Sequence, residues 1–410
     1  MNKKPDKDLI VALDIGTTKI AALVGEVTSD NNIEVVGFGS HPSHGLKKGV
    51  VVNIESTVQS IRRAVEEAEL MAGCEIHSAY TGIAGSHINS LNSHGIVAIR
   101  DREVIQTDVD RVIDAAKAVA IPADQRILHI LPQEFIIDNQ EGVREPVGMS
   151  GVRLEAKVHI VTGAVSAAQN INKCVKRCGL QANDIILEQL ASSHSVLSDD
   201  EKELGVCMID IGGGTTDIAV FIEGAIRFTS VIPIAGDHAT NDVAVALRTP
   251  TQYAEQIKVK YGSVLPDTIE ASEAIKVPSV GKRPPKQIHR KALAQVISAR
   301  YEELFTLALA ELRRNGFEDL IAAGIVLTGG ASKVEGATEL AESIFHMPVR
   351  IGMPQNVNGL MDVRDNPVFA TGVGLLIHGQ QQRENMPGFR LNYGGDGLWS
   401  RMKGWFSNNF

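Results

Sequence analysis

Aromatic side chains make up only 4% of this 410-residue chain, and both tryptophans, Trp399 and Trp405, sit at its C-terminal end. No stretch approaches the roughly 20 apolar residues that a bilayer span needs, and residues 1–7 are too polar for the core of a secretion signal. Basic charge is in deficit: the net charge is −9, which excludes the positively charged face of a non-specific nucleic-acid binder. Cysteine is scarce too. Cys174 and Cys178 lie four apart on an expected helix, but no second Cys or His pair completes a zinc set, so Cys74, Cys174, Cys178 and Cys207 read as reduced, partly buried thiols of a cytosolic protein. The length exceeds one ordinary core and predicts two or more domains.

What the chain does have is a phrase that occurs twice. Leu13-Asp14-Ile15-Gly16-Thr17-Thr18-Lys19-Ile20 returns as Ile209-Asp210-Ile211-Gly212-Gly213-Gly214-Thr215-Thr216-Asp217-Ile218. Each copy is an apolar strand ending on Asp, a turn of glycine and threonine, and a second apolar strand. Successive backbone N–H groups in such a turn form a concave anion site, to which the hydroxyls add donors. A single copy is an ordinary hairpin. Two copies facing each other would clamp a polyphosphate, with Asp14 and Asp210 placed to hold a hydrated Mg²⁺.

Around these phrases the periodicity alternates between strand and helix. Strands are expected over residues 9–22 and 33–39, followed by a helix carrying Val58, Ile61, Val65 and Ala68 that stops at Gly73. From residue 85 the pattern changes to a small α+β module. In it Thr107 is the expected N-cap of a helix, and two strands run over 127–138 and 152–161. Helices are then expected over 167–178, 239–261 and 292–314, and a buried strand over 324–327. After Gly379 the apolar period fades, which predicts a linker leading to a compact end at 398–410. A third glycine turn, Thr328-Gly329-Gly330-Ala331-Ser332, follows the 324–327 strand, and Ser332 with Glu335 has the spacing of a capping box that opens a helix. Such a turn lets a ribose or base lie against the backbone, beside a helix N-terminus that favours negative charge.

The two Asp-Ile-Gly phrases and the late Thr-Gly-Gly resemble the actin-type ATPase superfamily. Several further runs resemble one of its families, the bacterial cell division proteins called FtsA: Ala191-Ser192-Ser193-His194-Ser195-Val196-Leu197, Leu204-Gly205-Val206-Cys207, Val277-Pro278-Ser279-Val280-Gly281-Lys282-Arg283-Pro284-Pro285, and the tryptophan-bearing tail. The resemblance implies an α/β, actin-like two-lobed ATPase fold with ATP and Mg²⁺ between the lobes. It also implies an FtsA-type inserted α+β subdomain and a C-terminal amphipathic helix. The implied division is first lobe 1–84, insert 85–163, first lobe again 164–204, second lobe 205–236, its outer subdomain 237–305, second lobe again 306–378, linker 379–397 and membrane-targeting helix 398–410. Carried over residue by residue, Gly16, Thr17, Thr18 and Lys19 would touch phosphates from one lobe, and Gly212, Gly213, Gly214, Thr215 and Thr216 from the other. Gly329, Gly330 and Ser332 would lie at the adenosine. Glu255 and Lys258 match the superfamily's contacts to ribose and base, or else belong to a solvated helix face.

Hydrolysis in this architecture needs a polar residue to position water. By resemblance that residue is Glu188, with Gln189 in reserve. The proline that often follows the catalytic glutamate in hydrolysing relatives is missing, so slow hydrolysis at most is expected. In the tail, Leu398, Trp399, Met402, Trp405 and Phe406 fall on one helical face, which suits an interfacial membrane helix. The basic cluster Lys282, Arg283, Lys286, Arg290 and Lys291 stands out in an acidic chain. The resemblance makes Arg290, Arg300 and Glu303 contacts for the acidic–apolar tail of the tubulin-like protein FtsZ. It further implies self-association into filaments, recruitment of later division proteins through the insert, and a place on the cytoplasmic face of the inner membrane at the septum. Two other readings share the ATP site: a sugar or metabolite kinase, and an actin-like scaffold of a pilus-type machine.

Overall fold

The computed structural model describes residues 8–281 and 283–384. Lys282, most of the expected linker and the expected helix of Leu398, Trp399, Met402, Trp405 and Phe406 lie outside the described residues. Among those described, no helix is long and apolar enough to cross a membrane.

The duplicated phrase marks a duplicated architecture. Leu9–Ile15 and Lys19–Val27 pair antiparallel, Ile33–Pro42 extends the meander, and Ser78–Ile83 and Gln181–Leu187 add in parallel on the other side. The short strand Val357–Gly359 completes a six-stranded sheet. In the second lobe Val206–Ile211, Thr216–Ile222 and Ala225–Ile232 form the same meander, and Ile325–Thr328 and Val349–Ile351 add in parallel. Both phosphate-phrase strands read as unbroken apolar runs because both faces of each sheet are covered. The helix Ile54–Ala72 covers one face of the first sheet, where Gly37 and Gly39 admit its backbone, and it ends on Gly73 in the left-handed conformation, as expected. Glu188–Val196 and Ala370–Glu384 pack against each other between the two sheets. The second lobe has its own core, built around Phe305, Phe345 and Ile297.

Inserted within the first lobe, between Ser78–Ile83 and Gln181–Leu187 in sequence, lies a four-stranded antiparallel sheet of Asn89–Ala98, Gln125–Ile137, Gln140–Val143 and Arg153–Ala164, covered by the helix Gln106–Lys117. It has a separate core of residues such as Val109, Val112, Leu154 and Val158. This module also covers the open edge of the second lobe's sheet. Ser90, Asn92 and Gln133 donate to the carbonyls of Thr229, Arg227 and Ile226 at 3.0, 3.2 and 2.9 Å. Buried His159 bridges Asn92 Oδ1 at 2.7 Å and Thr229 Oγ1 at 2.9 Å. Edge carbonyls that would otherwise be unpaired are thus satisfied by side chains.

Four local expectations are corrected. Thr107 is not the N-cap: the helix begins at Gln106, and Asp108 accepts the N–H of the capping Ile105 at 3.3 Å. The single helix over 239–261 is two, Gly236–Leu247 and Thr251–Tyr261, because Arg248 turns left-handed (φ 46°) and Pro250 has no N–H to continue the ladder. Ser332 and Glu335 form no capping box. Ser332 Oγ donates to Gly329 O at 2.7 Å within a 3₁₀ turn, and the helix starts only at Ala337, after left-handed Gly336. The expected linker does not begin at Gly379, since the helix runs to Glu384. Gln380 and Glu384 bond to Asn31, and Arg383 pairs with Asp8, so tertiary contacts extend a helix that shows no apolar period.

Candidate functional site

The two phosphate turns face each other across a cleft of about 510 Å³ between the lobes, a size suited to a nucleotide-sized ligand. They approach closely. A side chain on Gly213 would put its Cβ 1.6 Å from Thr18 Oγ1, and one on Gly214 would lie 2.5 Å from Thr17 Oγ1. Thr18 Oγ1 donates to Asp237 Oδ1 across the cleft at 3.2 Å, and Thr17 Oγ1 accepts from Gly49 N at 2.9 Å. Lys19 is held inward: its Nζ donates to Asp14 at 3.3 Å and to Val368 O at 3.0 Å, and lies over the Phe369 ring.

Four carboxylates converge here. Asp14, Glu188, Asp210 and Asp217 all line the cleft. Glu188 opens the helix that follows Gln181–Leu187, and its carbon chain fits against Gly82, where a Cβ would be 2.8 Å from Glu188 Cγ. Burial, then the charges of Asp14, Asp217 and Asp210, push its carboxyl well above the usual range. Asp210 accepts from Ser192 Oγ at 2.6 Å, and burial raises its pKa to about 6. Asp217 accepts from Thr215 Oγ1 at 3.0 Å, and burial, followed by Asp210, raises it to about 7. Its second oxygen is buried and has no hydrogen-bond partner among the described residues. This negative, partly desolvated floor fits a cation, and an unpartnered carboxylate oxygen is the atom that a hydrated cation would satisfy. Among the described residues, no three His, Cys, Asp or Glu side chains are grouped to ligate a metal directly.

The other wall carries the remaining expected residues. Glu255 and Lys258 both line the cleft rather than a solvated face. They are 2.8 Å apart, and Lys258 also donates to Gly236 O at 3.0 Å and Thr240 Oγ1 at 2.8 Å. Gly329 takes φ 84°, and a Cβ there would fall 2.2 Å from Asp210 Oδ1, whereas Gly330 opens onto the cleft with nothing nearer than 3.6 Å. Three expected residues stand back from the lining. Ser332 is buried and closes the turn, Thr216 donates to Ile234 O at 2.8 Å, and Gln189 is fully buried with neither amide atom partnered among the described residues.

Sequence reading missed several lining residues. Asp217 stood inside the quoted phrase and Asp237 follows a strand-to-glycine turn, so both had a local signal. Tyr301 and Thr371 had none. Tyr301 reaches the cleft from the long helix Arg290–Arg314 and donates to Ala331 O at 2.7 Å.

A second concavity of about 410 Å³ lies on the outer subdomain, lined by Asp242, Val245, Ala246, Val296, Ala299, Arg300 and Glu303. Val245 is 70% exposed there. Arg300 grips both oxygens of Asp242 at 2.6 and 3.1 Å and also bonds Glu303. Arg290 does not join this groove. Ten residues back along the helix, its Nε, Nη1 and Nη2 are engaged with Tyr261 O, Glu273 and Glu335 at 2.9, 3.0 and 2.5 Å, away from the groove lining.

Comparison with known proteins agrees with this architecture. The family model "Cell division protein FtsA" matches residues 207–374, and the model of the SHS2 domain inserted in FtsA matches 85–162. The chain is 67% identical over 411 residues to the cell division protein FtsA of Pseudomonas aeruginosa, covering 98% of each. It is 53% identical to that of Neisseria meningitidis, covering 98% of each, and 49% identical to that of Escherichia coli K12, covering 94% of this chain and 93% of the relative. Among solved structures it is similar to a PilM–PilN type IV pilus biogenesis complex (TM-score 0.67, 15% identity, covering 90% and 98%). It is also similar to ADP-bound MreB5 of Spiroplasma citri (TM-score 0.56, 16% identity, covering 92% and 98%). At those identities the likeness speaks for the actin-like fold alone, so neither the pilus reading nor the kinase reading gains from it.

Proposed function

This chain belongs to the FtsA family of cell division proteins, and from that premise we propose that it is an ATP-binding adaptor that tethers FtsZ filaments to the cytoplasmic face of the inner membrane. The observation that carries the nucleotide half is the pair of glycine turns facing each other across the cleft, with Gly329 and Gly330 at its third side. Gly16, Thr17, Thr18 and Gly212 to Thr215 cradle phosphates with backbone N–H and hydroxyl donors, and Gly330, Glu255 and Lys258 receive the adenosine. Asp14 and Asp210 would hold a hydrated Mg²⁺, which would neutralise phosphate charge. Glu188, on the same floor, orients water, and the absence of the proline that often follows this glutamate in hydrolysing relatives suits a slow ATPase.

The membrane half rests on the amphipathic tail. Leu398, Trp399, Met402, Trp405 and Phe406 insert as an apolar face, weakly for one copy and strongly when self-association links many tails by effective concentration. Arg300 and Glu303, in a groove with an exposed apolar wall, suit the acidic–apolar tail of FtsZ. The insert is the surface for later division proteins. Liposome flotation with purified FtsZ, comparing the full chain with one ending at Gly395, tests the reading. FtsZ should float only with the full chain and ATP. Flotation of both with the truncated chain overturns the tail as anchor, and flotation without FtsZ overturns the partner.

A further inference from the structure

Two helices of the second lobe each reach both the nucleotide cleft and the outer groove. The helix Gly236–Leu247 puts Asp237 against Thr18 in the cleft and, little more than a turn later, Asp242 in the groove. The helix Arg290–Arg314 presents adjacent residues in opposite directions. Tyr301, buried, holds the Ala331 carbonyl behind Gly330, while Arg300 clasps Asp242. Arg300 and Asp242 therefore tie together the two elements that line both sites.

We infer that occupancy of the groove by an acidic–apolar peptide and occupancy of the cleft by a nucleoside triphosphate are positively linked through the Asp242–Arg300 pair. This rests on the nucleotide and partner readings above. A peptide carboxylate entering the groove competes with Asp242 for the Arg300 guanidinium, all three of whose nitrogens are already committed to Asp242 and Glu303. Released from Arg300, the helix Gly236–Leu247 is free to withdraw Asp237 from Thr18. The terminal phosphate acts from the other end. Its charge repels Asp237 across the same 3.2 Å contact, and shifting that helix strains the Asp242–Arg300 clasp. Each ligand thus favours the conformation in which both contacts are released, and linkage requires that each change the other's affinity by the same factor.

The test uses the full chain and a fluorescein-labelled peptide with the acidic–apolar tail sequence of FtsZ. Peptide anisotropy is read with and without Mg²⁺ and a non-hydrolysable ATP analogue, and analogue affinity is read with and without the unlabelled peptide. The expected result is at least a roughly five-fold tightening in both directions, equal within error. In Asp242→Asn, whose amide holds Arg300 less firmly, the peptide should bind more tightly without nucleotide and the linkage factor should fall toward one. Wild-type factors of one with both ligands bound overturn the linkage while leaving both sites standing. No peptide binding in any state overturns the partner reading together with the linkage, and the wild-type measurement stands whether or not the variant folds.

Discussion

Glu188 is held at the first turn of its helix, with its side chain against Gly82 and its carboxyl among Asp14, Asp210 and Asp217. On the role proposed for it, Glu188 orients a water molecule and contributes little to gripping the phosphates, a task proposed for the turns. Glu188→Gln should therefore keep nucleotide affinity within a few-fold while lowering phosphate release by about 100-fold. Nucleotide anisotropy and a phosphate-release assay separate the two, and equal loss of both would assign Glu188 to binding. At this scale much of the site was legible. The glycines, Thr17, Thr18, Asp14 and Asp210 announce themselves because a phosphate turn is local chemistry. Ser332, Thr216 and Gln189 misled because whether a side chain faces the cleft or the core depends on what packs behind it.

At the scale of elements, the helix pair Glu188–Val196 and Ala370–Glu384 decides how the lobes are joined. Their axes come close at Gly374, where a Cβ would lie 1.8 Å from Ala191 O. Ser195 donates to Ala370 O at 2.7 Å between these helices, and Ser192 reaches from the first of them to Asp210 on the strand Val206–Ile211. Gly374→Ala should push the pair apart, costing about 1–3 kcal/mol as overpacking does. Calorimetry should show a lower melting temperature, and because Ser192 and Glu188 move with their helix, nucleotide affinity should fall too. Unchanged melting would mean that the helices yield without cost. The long helix Ala370–Glu384 also shows where reading by period fails. Its last turn is polar, and what keeps it helical is Asn31 and Asp8 on distant parts of the chain.

On the scale of the whole molecule, the insert is an independently cored module whose seam with the second lobe is polar. His159 sits in that seam, and burial lowers its pKa to about 4 from an ordinary 6.5. Between those values the unfolded chain binds the proton that the folded chain refuses, so stability rises with pH. It should be intact above pH 6.5 and decline as pH falls toward 4, by on the order of 3 kcal/mol. His159→Gln, which keeps a hydrogen-bonding side chain without the titration, should flatten the melting temperature between pH 7 and 5 relative to wild type. Parallel slopes would place the acid sensitivity elsewhere.

The sequence by itself determined the repeated strand–turn–strand, the late glycine turn and the α+β insert, because each depends on short-range periodicity and on backbone freedom at glycine. Tertiary structure alone decided which residues share the cleft. Tyr301 and Thr371 come to the cleft that Asp14 lines from separate parts of the chain, and no local pattern encodes a meeting between two lobes. It also decided that Arg290 is spent within the fold while Arg300 borders an open groove, since the two sit on one helix with similar neighbours and differ only in what packs against them.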